Sequence, residues 1–282
     1  MTEIRDYLPD NLFAGKTVFV TGGGSGINLG VAKSFAALGA GVAICGRTAE
    51  RLESARAELE KLGAKVSTAV ADVRDYDALE AALDKSRKEL GPIHTLVCGA
   101  AGNFLAPAEK LSANGFRTVV DIDLNGSFNA ARAAFEQLRE TRGNLIFISA
   151  GQAFVPHFAQ AHCGAAKAGV DNLMQNLALE WGRYGIRSNS IAPGPIEGTE
   201  GMKRLGPRDG DAHQALKRAI PLGRYGTVAE IGLTAVFLAS PLAAYVTGTR
   251  VVVDGGMTLP GSGVFTQLVM SAMAPADPSG HP

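Results

Sequence analysis

Residues 17–28 read TVFVTGGGSGIN, a short apolar strand that runs into a glycine-rich turn and then a helical pattern. Glycines at 22, 24 and 26 let the backbone approach a diphosphate that a Cβ would hold off. The helix opening behind them, with Ser25, Ile27 and Asn28 in its first turn, offers unpaired N–H groups and the positive end of its dipole. A glycine-rich turn alone is a weak signal. Between the first strand and first helix of a βαβ unit it becomes a dinucleotide site.

The rest of the chain repeats that unit. Strand-like runs fall at Thr17–Val20, Gly41–Cys45, Lys65–Val70, Ile93–Cys98, Asn144–Ser149, Ile186–Ile191 and Arg250–Val253. Each is short, rich in Val and Ile and apolar on both faces, as buried parallel strands are. Helical patterns lie between them, at Ile27–Leu38, Ala49–Leu62, Tyr76–Leu90, Phe116–Glu140, Ala159–Tyr184 and Val228–Ala239. This alternation predicts an α/β fold, a Rossmann-type doubly wound sheet of seven parallel strands in one domain spanning residues 1–282. Two stretches break the pattern: a Gly- and charge-rich insertion at 195–226, expected to form a flexible substrate lobe, and the tail from Met257. From about residue 275 the tail is expected to be disordered.

At 282 residues the chain is long enough for one large domain and too short for two full catalytic ones. Basic and acidic residues balance at 27 each, so charge points to neither a nucleic-acid nor a membrane partner. Cys45, Cys98 and Cys163 stand far apart, with no CxxC pair and no Cys/His spacing suited to zinc. A reducing compartment is expected, and no metal site. The N-terminus carries early acids and no apolar core, unlike a signal peptide, and no apolar run approaches about 18 residues. The last residues, Ser-Gly-His-Pro, form no peroxisomal or retention address, so a cytoplasmic location is expected.

Strand two ends Cys45-Gly46-Arg47. An NAD-preferring site would carry an Asp or Glu there for the ribose 2′-hydroxyl. None is present, and the planar fork of Arg47 can pair with a 2′-phosphate instead. NADP(H) is the expected cofactor; the alternative is a solvated Arg opening the next helix.

These features together resemble the short-chain dehydrogenase/reductases over residues 15–256. The turn is similar to the family's TGxxxGxG, with Asn28 at the third Gly. By resemblance, Asp72 and Val73 contact the adenine, Pro193, Gly194 and Ile196 meet the nicotinamide carboxamide, and Thr199 follows that loop. The family's catalytic set is Asn, Ser, Tyr and Lys. Aligning Lys167 on the family Lys, in Cys163-Gly-Ala-Ala-Lys167, puts Cys163 at the Tyr, Ala150 at the Ser and Asp123 at the Asn. Three of the four are changed while the cofactor machinery persists.

The segments around those changes, 99–129, 160–171 and 194–206, resemble the 2,4-dienoyl-CoA reductases, especially the peroxisomal type. That group is similar in lacking the Tyr and Ser, in carrying the Asp, and in the AAGNF run of Ala100, Ala101, Gly102, Asn103 and Phe104. The resemblance implies NADPH-dependent reduction of an acyl-CoA diene to a 3-enoyl-CoA in unsaturated fatty-acid β-oxidation, and a homotetramer. Ala100, Ala101 and Gly102 are then expected at the cofactor.

The chemistry fits the residues. Hydride added at the far end of a conjugated diene drives charge onto the thioester oxygen, and the proton must reach carbon. A phenol poised for an alkoxide is dispensable. Asp123, with Lys167, is placed to hold a proton-donating water, Lys167 to grip the nicotinamide ribose, and Asn125 or Asn103 to donate to the thioester oxygen. Other readings stay open. Asp121 and Asp123 also suit a helix cap or a buried ion pair. His162 suits packing, a CoA contact or a general acid, and Cys163 an apolar filler. Lys203 and Arg204 suit CoA phosphates or an exposed basic pair. Two rival functions are open as well: reduction of a 2-enoyl-CoA, and an inactive NADP-binding protein.

Overall fold

Strand β1 (Thr17–Thr21) is buried along its whole length and sits near the middle of the sheet. The computed structural model describes residues 8–206 and 210–259, the side chains at 204 and 205 excepted. Around β1 stand β2 (Gly41–Gly46), β3 (Val66–Val70), β4 (Ile93–Cys98), β5 (Asn144–Ile148), β6 (Arg187–Pro193) and β7 (Arg250–Val253). All pair in parallel in the order β3-β2-β1-β4-β5-β6-β7. The predicted seven-stranded doubly wound sheet is the observed one.

The helices are α1 (Gly26–Ala36), α2 (Ala49–Glu60), α3 (Tyr76–Leu90), α4 (Ala113–Val120), α5 (Gly126–Thr141), α6 (Ala161–Trp181), α7 (Glu200–Leu205), α8 (Gly210–Ala219) and α9 (Val228–Ala239). Alternate strand residues feed two cores, because strand side chains point to opposite faces in turn. Val18, Val20, Ile44 and Ile146 pack with Phe35 of α1, Leu59 of α2 and Ile231 of α9. On the other face Phe19, Leu96 and Phe147 pack with Leu83 of α3, Leu138 of α5 and Met174 of α6. Local signals agree with this placement. Asp75 caps α3, and Thr227 with Glu230 forms a capping box on α9.

One expected helix needs correction. Phe116–Glu140 is not continuous: α4 ends at Val120, residues Asp121–Asn125 form a π-helical turn, and α5 follows. Two contacts account for the widened turn. The Ser127 hydroxyl donates to the Asp123 carbonyl at 2.6 Å. Gly126 packs so tightly that a Cβ there would lie 2.5 Å from Val73 Cγ2. Serine back-bonding of this kind bends helices, and single π turns mark functional positions.

The insertion at 195–226 holds α7 and α8. The expected disorder from residue 275 lies outside the described residues. Among the described residues no helix is long and apolar enough to cross a membrane.

Candidate active site

The strand order reverses between β1 and β4, and a crevice opens beyond their carboxyl ends, where ligands of doubly wound sheets bind. Gly22, Gly24, Ser25, Gly26, Ile27 and Asn28 line it from the β1 turn, and Arg47 from the end of β2. Asp72, Val73, Ala100, Ala101, Asn103 and Thr199 complete the predicted lining. Gly102, Pro193, Gly194 and Ile196 are not among the residues that line the crevice. Gly194 meets the β7 turn so closely that a Cβ would lie 2.6 Å from Asp254 Cα, and Ile196 is buried in a bridge to Gly226.

The crevice fits a dinucleotide. Ser25 makes no side-chain cap on α1, so the first-turn N–H groups of that helix stay available to an anion. Gly22 has φ +67 and leaves no room for a Cβ, which would meet Ala100 Cα at 2.9 Å. Arg51, which sequence reading passed over, joins Arg47 on the wall one turn into α2. Both are exposed, and no carboxylate stands at the strand end.

Two of the residues lining the crevice are committed to the protein itself. Asn28 donates its amide to the Gly99 carbonyl at 2.7 Å and to the Gly22 carbonyl at 3.3 Å. It ties the phosphate turn to the end of β4, and Gly99 has no Cβ because one would overlap that amide. The Asp72 carboxylate is held by Arg74 through two guanidinium bonds of 3.0 and 2.6 Å. That partner keeps the Asp72 carboxyl below its usual range.

Behind the cofactor wall lies a buried ion pair. Lys167 of α6 places Nζ 3.2 Å from Asp123 Oδ2, and both side chains are almost wholly enclosed. Lys167 Nζ also donates to the Ile148 carbonyl at the end of β5, at 2.8 Å. Asp123 Oδ1 accepts from the Gly102 N–H at 2.7 Å, whereas Oδ2 has no hydrogen bond. The π turn aims Asp123 inward. Asp121 faces elsewhere, accepting from the Asn125 amide at 2.9 Å. Asn125 is exposed and is not brought to the Asp123–Lys167 pair.

Residues Gly102, Asn103 and Phe104 each hold one group of the site. Gly102 binds Asp123. Asn103 donates to Gln160 at 3.0 Å, and Gln152 donates to the same Gln160 oxygen. The Phe104 ring lies on the His162 imidazole with centroids 4.4 Å apart. His162 is fully buried, and burial lowers its pKa; the Phe104 backbone and the Asp123 charge oppose that shift more weakly. Cys163 occupies the next position, its thiol pushed up to about 11 by burial. Burial and a raised pKa both favour a packing role over that of a nucleophile.

Lys203 is exposed beside Glu200, at 3.5 Å, and Arg204 lies on α7 with its side chain outside the described residues. Sequence reading missed Gln160, Ile122 and the Ile148 carbonyl. The first two look like ordinary helix residues, and a backbone acceptor leaves no mark in a side-chain pattern.

A sequence profile of the family described as enoyl-(acyl carrier protein) reductase matches residues 22–258. A short-chain dehydrogenase of known structure from Bacillus anthracis is 41% identical, with a TM-score of 0.78 over 86% of this chain and 96% of that one. The chain belongs to the short-chain dehydrogenase/reductase family. A peroxisomal 2,4-dienoyl-CoA reductase from Saccharomyces cerevisiae, described as (3E)-enoyl-CoA-producing, is 45% identical over 88% of this chain and 86% of its own length. The gluconate 5-dehydrogenase of Burkholderia cenocepacia, solved with NADP and tartrate, is 31% identical with a TM-score of 0.82, over 89% and 98%. This short-chain reductase therefore keeps the family fold, with Cys163 and Lys167 one turn apart on α6.

Proposed function

We propose that this protein reduces 2,4-dienoyl-CoA thioesters to 3-enoyl-CoA with NADPH, in the β-oxidation of unsaturated fatty acids. The observation that carries the reading is the buried Asp123–Lys167 pair beside a cysteine at the tyrosine position. Identity of 45% to a dienoyl-CoA reductase supports it. Ketone reduction needs a phenol to protonate an alkoxide, and position 163 has none.

When bound, NADPH supplies the hydride. The α1 N-terminus and the glycine turn hold its diphosphate, Arg47 its 2′-phosphate, and Lys167 the nicotinamide ribose. Pro193, Gly194, Ile196 and Thr199 back the nicotinamide end. Hydride addition at C5 converts the C4=C5 and C2=C3 bonds into C3=C4 and an enolate spanning C1 and C2. A water held at Asp123 Oδ2, beside Lys167, gives its proton to C2, which leaves the C3=C4 bond of the product. Lys167, held by Ile148, sets its charge 3.2 Å from Asp123 and favours the enolate. The hydroxide left beside Asp123 takes a proton from solvent, which restores the water and closes the cycle.

The reading includes a homotetramer. Exposed apolar side chains on two parts of the fold support it: Phe128 and Leu179 on α5 and α6, and Phe237, Leu242, Tyr245 and Val252 on and after α9 and on β7. A closed tetramer of this symmetry needs two interfaces per chain. Three buried free cysteines suit a reducing compartment, and the reading places the enzyme in the cytoplasm.

The test follows NADPH oxidation optically with a 2,4-dienoyl-CoA, a 2-enoyl-CoA and a 3-ketoacyl-CoA. Turnover on the diene alone is expected. Preference for either other thioester, or no turnover at all, would overturn the assignment.

A further inference from the structure

Among the described residues, most of the buried polar atoms without hydrogen-bond partners lie in one region, Ser86 Oγ and Asn144 Oδ1 being the exceptions. Native proteins leave few such atoms, since each carries a desolvation penalty that a ligand or water must offset. Here Asp123 Oδ2, Asn103 Oδ1, Ser149 Oγ and both nitrogens of His162 lack a hydrogen-bond partner among the described residues. These four residues lie around the start of α6 and the end of β5. His162 is the extreme case: it has no exposed surface, and neither of its nitrogens makes a hydrogen bond of good geometry, the Phe104 backbone being a weak neighbour. Packing alone does not explain it, because a phenylalanine or leucine would stack on Phe104 without burying two bare nitrogens.

The ring is also fixed in position. It stacks on Phe104, two residues along the chain from the Gly102 N–H that clamps Asp123. Phe104 is 39% exposed, so the ring that covers the imidazole is itself open to solvent. Neutral imidazole carries one N–H donor, and burial favours the neutral form. The other candidates suit an oxyanion less well. The unpaired atom of Asn103 is an acceptor and its amide donates to Gln160, while Asn125 is engaged with Asp121. Ser149 is the remaining donor, on a freely rotating hydroxyl.

Building on the dienoyl-CoA reading above, we infer that His162 is the catalytic hydrogen-bond donor to the thioester oxygen. Its N–H meets the charge that hydride addition drives onto that oxygen. Asp123 and Lys167 serve the proton at C2. No proton leaves His162. Donor and proton source are then separate groups, as required when the proton ends on carbon. Stabilisation falls on the enolate more than on the ground-state thioester, so the effect belongs to kcat.

The test begins with wild-type turnover of a dienoyl-CoA, whose absence defeats the functional reading itself and not the assignment of His162. His162→Phe keeps the aromatic stack and removes both nitrogens. Its kcat is expected to fall about 10²- to 10³-fold, as for loss of an oxyanion donor. NADPH affinity should not change and thermal stability should hold or rise. Ser149→Ala should stay within a few-fold of wild type. Wild-type kcat in His162→Phe, or the large loss appearing in Ser149→Ala instead, overturns the inference. Should His162→Phe fail to fold, the wild-type protein decides. With NADP and a 3-enoyl-CoA added, the ¹⁵N-imidazole spectrum must show a new hydrogen-bonded N–H at His162, and an unchanged spectrum is contrary.

Discussion

Asparagine at position 123 keeps the acceptor for the Gly102 N–H but removes the charge that faces Lys167 at 3.2 Å. Positioned acid–base groups contribute about 10²–10⁴-fold, so kcat of Asp123→Asn should fall within that range while NADPH affinity holds. A lost transition-state contact lowers kcat at near-constant KM, whereas a lost binding contact does the reverse. The thermal midpoint should drop as well, since Lys167 is left buried without its counter-charge. Asp121→Asn is the control, because Asp121 faces Asn125 and not the pair. Full turnover in Asp123→Asn would return that residue to a structural role. Arg47 makes a separate prediction at the crevice rim. Arg47→Ala should weaken NADPH by roughly 10- to 150-fold and NADH little, because only NADPH carries the 2′-phosphate. Equal losses measured by titration would remove Arg47 from cofactor selection.

Asn28 acts at the scale of elements, since its amide joins the β1 turn to the end of β4 through Gly22 and Gly99. Thr21 adds to the same junction, its hydroxyl accepting from Gly99 and Ala100 at 3.0 and 3.2 Å. Asn28→Ala removes two hydrogen bonds and frees two part-buried carbonyls. It should cost about 1–3 kcal/mol in denaturant unfolding and loosen NADPH binding. An unchanged midpoint together with weaker NADPH would instead make Asn28 a direct phosphate ligand. This junction also shows where sequence reading stops. The strands are legible because buried parallel strands leave continuous apolar runs, and Val228–Ala239 is legible from its helical pattern. The π turn at Asp121–Asn125 is not. Besides the Ser127 back-bond to Asp123, it depends on Gly126 packing on Val73, a tertiary contact between segments 53 residues apart that no local pattern carries. The Asp123–Lys167 pairing is legible only through the family alignment, and its Ile148 anchor is a main-chain oxygen with no side-chain signature.

For the whole molecule, the exposed apolar side chains predict assembly. Leu179 is 83% exposed on α6 and Tyr245 fully exposed beyond α9, positions where a monomer in water has no use for large apolar groups. Leu179→Glu and Tyr245→Glu should each reduce the tetramer to dimers in light scattering, through different interfaces. A wild-type monomer, or a tetramer indifferent to both changes, would contradict that assembly. The account's central claim is that this fold reduces a diene by hydride addition at one carbon and water-derived protonation at another, without a phenol. Its most direct test is the reaction of a 2,4-dienoyl-CoA with NADPH in D₂O, followed by NMR of the product. The expected product is a 3-enoyl-CoA with deuterium at C2, protium delivered to C5, and one NADPH consumed per diene. No NADPH consumption, or a 2-enoyl-CoA carrying deuterium at C4, would contradict it.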